Sequence, residues 1–147
     1  MCDHCGCREY EPIADLTGEH ESILALAWAL AESGGSPVVS DAARDELVAL
    51  LDVHVEKEET WLYPELVATG DLSPLASSAL EEEHRSLRST VLSGSFDRRD
   101  FYALAAHIEE EELELFPAAM FAFDDEEWAR FTSGSTLAAT ASPASPG

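Results

Sequence analysis

The sequence predicts an all-α protein, an antiparallel up-down four-helix bundle with a short extra helix at its C-terminal end. Apolar residues recur at intervals of three and four, the spacing that places them along one face of a helix. The first two such segments carry this stripe at Ile23, Leu24, Ala27 and Leu30, and at Leu47, Leu50, Leu51 and Val55. No segment alternates apolar and polar residues as a half-buried strand would. Helices with one apolar face and short connections bury those faces against one another as a bundle.

Residues that begin and end helices give the expected boundaries. Ser and Asp side chains can accept hydrogen bonds from the N–H groups of a first turn, a glycine pair can stop a helix, and proline ends or bends one. The predicted helices run from about Ile13 to Ser33 before Gly34 and Gly35, from Ser40 or Asp41 to Pro64, from Pro74 after the cap Ser73 to about Gly94, and from Asp97 or Asp100 to Pro117, with a short fifth helix near Asp124 to Phe131.

Length, composition and charge limit the possible partners. The 147 residues fit one domain, and 46% hydrophobic residues are enough to build its core. The net charge of -22 argues against nucleic acid and against an anionic membrane, since both require a positive surface. No apolar run approaches the roughly 20 residues of a membrane span, and the N-terminus lacks the basic and apolar regions of a signal peptide. We therefore expect a cytoplasmic protein.

The chain divides into three predicted regions. These are a Cys-rich arm (1–12), the bundle (13–132) and a disordered tail (133–147), whose composition is rich in Ser, Ala, Thr and Pro. The arm holds Cys2, His4, Cys5 and Cys7. These residues could bind zinc or copper or form a redox pair, but no second CxxC motif completes a zinc module. A mobile, reduced arm is the favoured interpretation.

An eleven-residue string occurs twice, as HVEKEETWLYP from His54 and as HIEEEELELFP from His107. Each copy places a glutamate, Glu58 or Glu111, four residues after the histidine. Positions i and i+4 are about 40° apart around a helix, so each pair can direct two ligand atoms to one point. A single pair of this kind is more often a solvated ion pair than a metal site. Its repetition favours metal binding.

A second motif precedes each copy, because EHESIL begins at Glu19 and EHRSLR begins at Glu83. The two halves are therefore interpreted as related helical hairpins that each offer two histidines and one glutamate. The six candidate metal ligands are His20, His54, Glu58, His84, His107 and Glu111. Glu59 and Glu112 lie about 100° around their helices from Glu58 and Glu111. They are expected either to support the ligands or to lie on the surface.

The ligand types indicate a transition metal. Imidazole and carboxylate together suit iron, manganese, zinc or cobalt, and six ligands suggest two ions. A ferritin-like site would instead require two Glu-x-x-His motifs on paired helices. Only Glu81 to His84 has that spacing, since the residues three positions before the other candidate histidines are Thr17, Leu51 and Leu104.

Taken together, these motifs resemble the hemerythrin-like, or HHE cation-binding, domain over about residues 13–123. The matching features are an early-helix His, a second-helix HxxxE, a third-helix EH and a fourth-helix HxxxEE that ends in (Y/F)P. The resemblance implies an antiparallel four-helix bundle around two iron ions, an oxo- or hydroxo-bridged non-haem di-iron centre. It also implies that His20 and His54 bind one iron, that His84 and His107 bind the other, and that Glu58 and Glu111 bridge them.

The chain departs from the oxygen-carrying members of this family. They have a fifth histidine one turn from the third-helix histidine, whereas here Arg88 lies one turn after His84 and Leu80 one turn before it. A glutamate or a tyrosine could take the vacant place, and the tyrosine candidates are Tyr10, Tyr63 and Tyr102. The fourth-helix carboxylate of the carriers comes five residues after its histidine, which corresponds to Glu112, but helical geometry and the repeat favour Glu111.

Fewer protein ligands leave open coordination positions, which let a metal activate a small molecule. We therefore predict a di-iron oxidoreductase that breaks down hydrogen peroxide in a catalase- or peroxidase-like reaction. Arg88 could stabilise negative charge at the site, or it could be an exposed Arg in a salt bridge. The alternative function is a protein that binds dioxygen or nitric oxide, or senses iron or redox state, without turnover. A protein partner is not indicated by any motif.

Overall fold

The computed structural model describes residues 11–33 and 37–130, and within them all regular structure is helical, with no strand. The six helices with defined bounds are α1 (Glu11–Ala31), α2 (Pro37–Lys57), α3 (Tyr63–Ala68), α4 (Pro74–Leu92), α5 (Arg98–Glu110) and α6 (Phe116–Ala122). Residues 125–130 are also helical, where a short final helix was predicted. The all-α prediction is confirmed.

Two π-helical turns connect successive helices without a break. The first π turn (Glu58–Leu62) joins α2 to α3, and the second π turn (Glu111–Leu115) joins α5 to α6. Neither Pro64 nor Pro117 ends the helical path, because each proline falls in the first turn of the following helix, where its missing N–H costs little. Of the two outcomes predicted at these prolines, an end or a bend of the helix, the end is therefore wrong.

Side-chain caps begin two of the helices as predicted. The Ser73 hydroxyl accepts a hydrogen bond from the Ala76 N–H at 3.0 Å, directly before α4. Asp97 and Asp100 accept hydrogen bonds from each other's backbone N–H groups at the start of α5. This reciprocal capping box satisfies two N–H groups that a helix start would otherwise leave unpaired.

The predicted start of α2 at Ser40 or Asp41 is wrong, since the helix begins at Pro37. Proline favours a first helical turn because its φ angle is already helical. Ser40 and Asp41 lie within the helix instead, and both accept hydrogen bonds from the guanidinium of Arg44.

The buried apolar residues form two clusters with the polar candidate ligands between them. One cluster contains Ile13 and Leu16 of α1 together with Leu66 of α3. The other contains Ile23 of α1 and Leu47 of α2. His20 lies on α1 between the two clusters in sequence, and Glu58 is similarly placed between Leu47 and Leu66. The helices therefore enclose a polar layer between two apolar layers.

The helices that carry the candidate ligands pack side by side. Helix α1 packs against α2 and α5, and α4 packs against the same two helices. None of the helices within the described residues is long and apolar enough to span a bilayer.

Residues 1–10, 34–36 and 131–147 lie outside the described part of the chain. They include Cys2, His4, Cys5 and Cys7 of the arm, Tyr10, and the predicted helix stop at Gly34 and Gly35. The division into regions 1–12, 13–132 and 133–147 therefore stays a prediction.

Candidate metal centre

All six predicted ligands converge on one buried site. Their ligand atoms form two groups, each with all atoms within 4.8 Å of one another. One group contains His20, His54, Glu58 and Glu111, and the other contains Glu58, His84, His107 and Glu111. Every member is buried. Because both glutamates belong to both groups, the arrangement can hold two ions that share two carboxylates.

The i, i+4 spacing brings each histidine of the repeated string to its own glutamate. His54 Nε2 lies 3.4 Å from Glu58 Oε1, and His107 Nε2 lies 3.4 Å from Glu111 Oε1. Glu58 and Glu111 are also the first residues of the two π turns. Each glutamate carbonyl accepts a hydrogen bond from the N–H group five residues later, which is the hydrogen bond of a π turn.

The π turns keep an aromatic side chain on the same face as each glutamate. Five residues along an α-helix correspond to a rotation of about 140°, which would turn the fifth side chain away from the site. The wider turn reduces this rotation, so Tyr63 follows Glu58 on the site's face and Phe116 follows Glu111. Both aromatic residues are fully buried. Tyr63 stacks on His84 with ring centroids 5.7 Å apart, and Phe116 stacks on His20 at 5.3 Å.

Each glutamate lies between histidines of the two halves. Glu58 Oε1 is 3.4 Å from His54 Nε2 and 3.4 Å from His84 Nε2. Glu111 Oε1 is 3.2 Å from His20 Nε2 and 3.4 Å from His107 Nε2. A carboxylate in this position is suited to bridge two ions. The structure thus brings Glu111, and not Glu112, into the central cluster.

A second layer of carboxylates holds the outer nitrogen of each histidine. The four pairs are His20 Nδ1 with Glu112 at 2.9 Å, His54 Nδ1 with Glu19 at 2.7 Å, His84 Nδ1 with Glu59 at 2.6 Å, and His107 Nδ1 with Glu83 at 2.8 Å. An Nδ1–H that donates to a carboxylate leaves the Nε2 lone pair free for a metal and fixes the ring orientation. All four rings are therefore held with Nε2 towards the centre.

The pairing follows the internal repeat. Glu19 and Glu83, each directly before a candidate histidine, bind the other histidine of their own half. Glu59 and Glu112, each directly after a candidate glutamate, bind a histidine of the opposite half. Sequence reasoning noted Glu59 and Glu112 but missed Glu19 and Glu83, although the repeated EH pair was a signal for them.

The Nε2 atoms and carboxylate oxygens at the centre fit a cation. His84 Nε2 and His107 Nε2 are 3.1 Å apart, and two lone pairs at this distance repel unless a cation or proton lies between them. Among the described residues, Nε2 of His20 and His54 and both oxygens of Glu58 are buried without a hydrogen-bond partner. Buried polar atoms without a partner are rare and costly. A metal ion would satisfy all of them.

The surrounding carboxylates also raise the proton affinity of the histidines. Burial alone would lower the pKa of His54, but the charge of Glu58 and the hydrogen bond to Glu19 outweigh it and raise the pKa to about 10. Burial is likewise outweighed at His107, where Glu111 and Glu83 raise the pKa to about 9. The same negative charge would also favour a metal cation, which must displace these protons to bind.

A cavity of about 130 Å³ reaches the centre from the surface. Its walls are mainly apolar and include Leu51, Leu87 and Leu104. The side chains of Asp52 and Arg88 also line it, and they form a two-point ion pair with distances of 2.8 and 3.2 Å. Both are about half exposed, so the salt-bridge interpretation of Arg88 applies, and its role towards a bound molecule stays a prediction.

The fold and the site define a class of protein, an all-helical chain in which two His-x-x-x-Glu motifs surround a common buried centre. The chain belongs to the hemerythrin HHE cation-binding domain family, whose match covers residues 11–94, more than half of the 147 residues. This match confirms the resemblance. It ends before His107 and Glu111, short of residue 123, to which the resemblance was expected to extend. No curated protein and no solved structure matches the chain.

Proposed function

We propose that this protein binds two iron ions inside an antiparallel, up-down four-helix bundle. In this proposal His20 and His54 bind one ion, His84 and His107 bind the other, and the two shared glutamates bridge them. The observation that supports it most is the pair of four-residue ligand groups that have both carboxylates in common. Iron is favoured over manganese, zinc or cobalt by the family, since the ligand types alone suit all of them.

We further propose that the centre reacts with hydrogen peroxide. Bound iron would supply two-electron redox chemistry, while the chain would orient the ligands and limit access. The carboxylates around the ring hold the histidines in one orientation. The cavity reaches the site between apolar walls and has a volume of about 130 Å³, which is ample for a molecule the size of hydrogen peroxide.

The alternative is binding or sensing without turnover, with dioxygen or nitric oxide as the ligand. Its support is the depth of the centre, whose ligands come from α1, α2, α4, α5 and both π turns. Metal binding at such a site is coupled to the stability of the whole fold, so a change in metal state would alter the protein as a switch does. The cytoplasmic location remains a prediction of the sequence.

One set of measurements separates these functions. Metal analysis of protein loaded with ferrous ion, and of protein treated with a chelator, gives the stoichiometry. Peroxide consumption is then followed in metal-free, iron-loaded and zinc-loaded protein, because zinc fills the same ligands but has no redox chemistry. Turnover in the iron-loaded protein alone supports the peroxide reaction. A stable dioxygen or nitric oxide adduct with no peroxide turnover favours the alternative, and failure to bind about two ions per chain rejects both.

A further inference from the structure

One hydroxyl group breaks the symmetry of the two halves at the candidate metal centre. Tyr63 and Phe116 occupy equivalent places in the repeated string, nine residues after its histidine. Each stacks on a histidine of the opposite half, at 5.7 Å for His84 and at 5.3 Å for His20. The two aromatic rings therefore play the same packing role. Only Tyr63 adds an oxygen atom.

The Tyr63 oxygen lies among the ligand atoms of one group. It is 2.7 Å from Glu111 Oε2 and 3.2 Å from His84 Nε2. Two ligand atoms at about 2.1 Å from one ion, in directions at right angles, are roughly 3 Å apart. The separation between His84 Nε2 and His107 Nε2 is also 3.1 Å. The distances from His84 Nε2 to the hydroxyl and to His107 Nε2 are thus those expected between neighbouring ligands of a single ion.

Among the described residues, no phenol oxygen lies at the corresponding place in the opposite group. The four buried atoms without a hydrogen-bond partner among the described residues all belong to His20, His54 and Glu58. Phe116 packs there and has no polar atom to offer. Of the other tyrosines, Tyr102 is 60% exposed, and Tyr10 lies outside the described residues.

We propose that Tyr63 is a further metal ligand, through its phenol oxygen, to the ion held by His84 and His107. This inference rests on the proposed two-ion site. Tyr63 would take the place left vacant by the absent fifth histidine, where Arg88 instead pairs with Asp52. On binding, the phenol O–H bond breaks, an oxygen–metal bond forms, and the proton passes to the solvent without any redox change. The two ions then have different ligand sets, and only one of them has a phenolate.

A single-tyrosine variant tests the proposal. The chain has three tyrosines, so Tyr10→Phe with Tyr102→Phe leaves Tyr63 as its sole phenol. This variant is loaded with iron, oxidised to the ferric state and analysed for iron content and for its visible spectrum. We expect the charge-transfer absorption of a phenolate bound to ferric iron. We expect Tyr63→Phe, with the other two tyrosines kept, to lose that absorption per bound iron.

The outcomes of this test are separate from those of the proposed function. If the single-tyrosine protein binds iron but has no phenolate absorption, or if Tyr63→Phe retains it, the proposal for Tyr63 is overturned and the di-iron site stands. If neither protein binds iron, the proposed function itself has failed. Should Tyr63→Phe not fold, the single-tyrosine spectrum still decides, because that protein contains no other phenol.

Discussion

The four carboxylates that hold the histidine Nδ1 atoms differ in exposure, and this difference predicts how much each contributes to metal affinity. The exposed fraction of the side chain is 14% for Glu112, 21% for Glu19, 29% for Glu59 and 43% for Glu83. A hydrogen bond to a charged group is stronger where water is excluded. Replacing each glutamate by glutamine removes the charge and keeps the size.

Loss of such a partner typically weakens metal binding about 10- to 100-fold, which corresponds to about 1.4–2.7 kcal/mol. We expect Glu112→Gln near the upper end of this range and Glu83→Gln near the lower end. Glu59→Gln should fall between them. Glu19→Gln should also leave Lys57 without its ion-pair partner, so this variant should lose stability in addition to affinity.

The assay is a competition titration in which the protein and a coloured chelator compete for the metal. Glu110→Gln is the matched control, because Glu110 is exposed and occupies the place in the repeat that Lys57 occupies in the first half. It removes one negative charge next to Glu111 and has no hydrogen bond to a histidine among the described contacts. If Glu83→Gln weakens binding as much as Glu112→Gln, or if Glu110→Gln has the same effect, exposure does not govern the contribution and the reasoning is refuted.

Proton binding, surface charge and ligand sharing give three more predictions. Chelator-treated protein should lose stability against urea as the pH rises from about 6.5 towards 10. The pKa values of His54 (about 10) and His107 (about 9) are raised in the folded state. Over this range the folded protein therefore retains protons that the unfolded protein has released. Iron-loaded protein should show the opposite trend over the same range, since metal and protons compete for the nitrogens; matching curves would contradict this. Arg88→Ala should change the free energy of unfolding by about 1 kcal/mol or less, because the ion pair of Arg88 with Asp52 is half exposed. If Arg88 acts on the bound molecule, the same variant should have lower peroxide turnover at unchanged iron content. Glu58→Ala should reduce the occupancy of both ions together, as measured by metal analysis, and retention of one full ion would argue against a shared carboxylate.

Helical periodicity and the repeat predicted the all-α class and the six residues that meet at the centre, but not the start of α2 or the division into six helices. The spacing from His54 to Glu58 fixes a contact within one helix, and the repeat identifies the second pair. The contact of His20 with Glu112 joins the two halves across 92 residues of chain, and no local pattern specifies it. The π turns were not predicted either, because proline was expected to end or bend the helices.

For the arm, as for the other residues outside the described part of the chain, the sequence is the sole guide. Replacing its three cysteines (Cys2, Cys5 and Cys7) with serine should leave iron content and peroxide turnover unchanged, since the six candidate ligands all come from the helical part of the chain, between His20 and Glu111. A fall in either quantity would assign the arm a role in metal delivery or redox chemistry.

The sharing of Glu58 and Glu111 limits what either half of the chain can do alone. Each glutamate contacts one histidine from its own half and one from the other, so a hairpin expressed alone would present an incomplete set of donors. Two copies of such a hairpin, assembled face to face, would restore the full set with exact twofold symmetry. In the single chain, by contrast, one half can differ from the other, as it does where Tyr63 of the first half corresponds to Phe116 of the second.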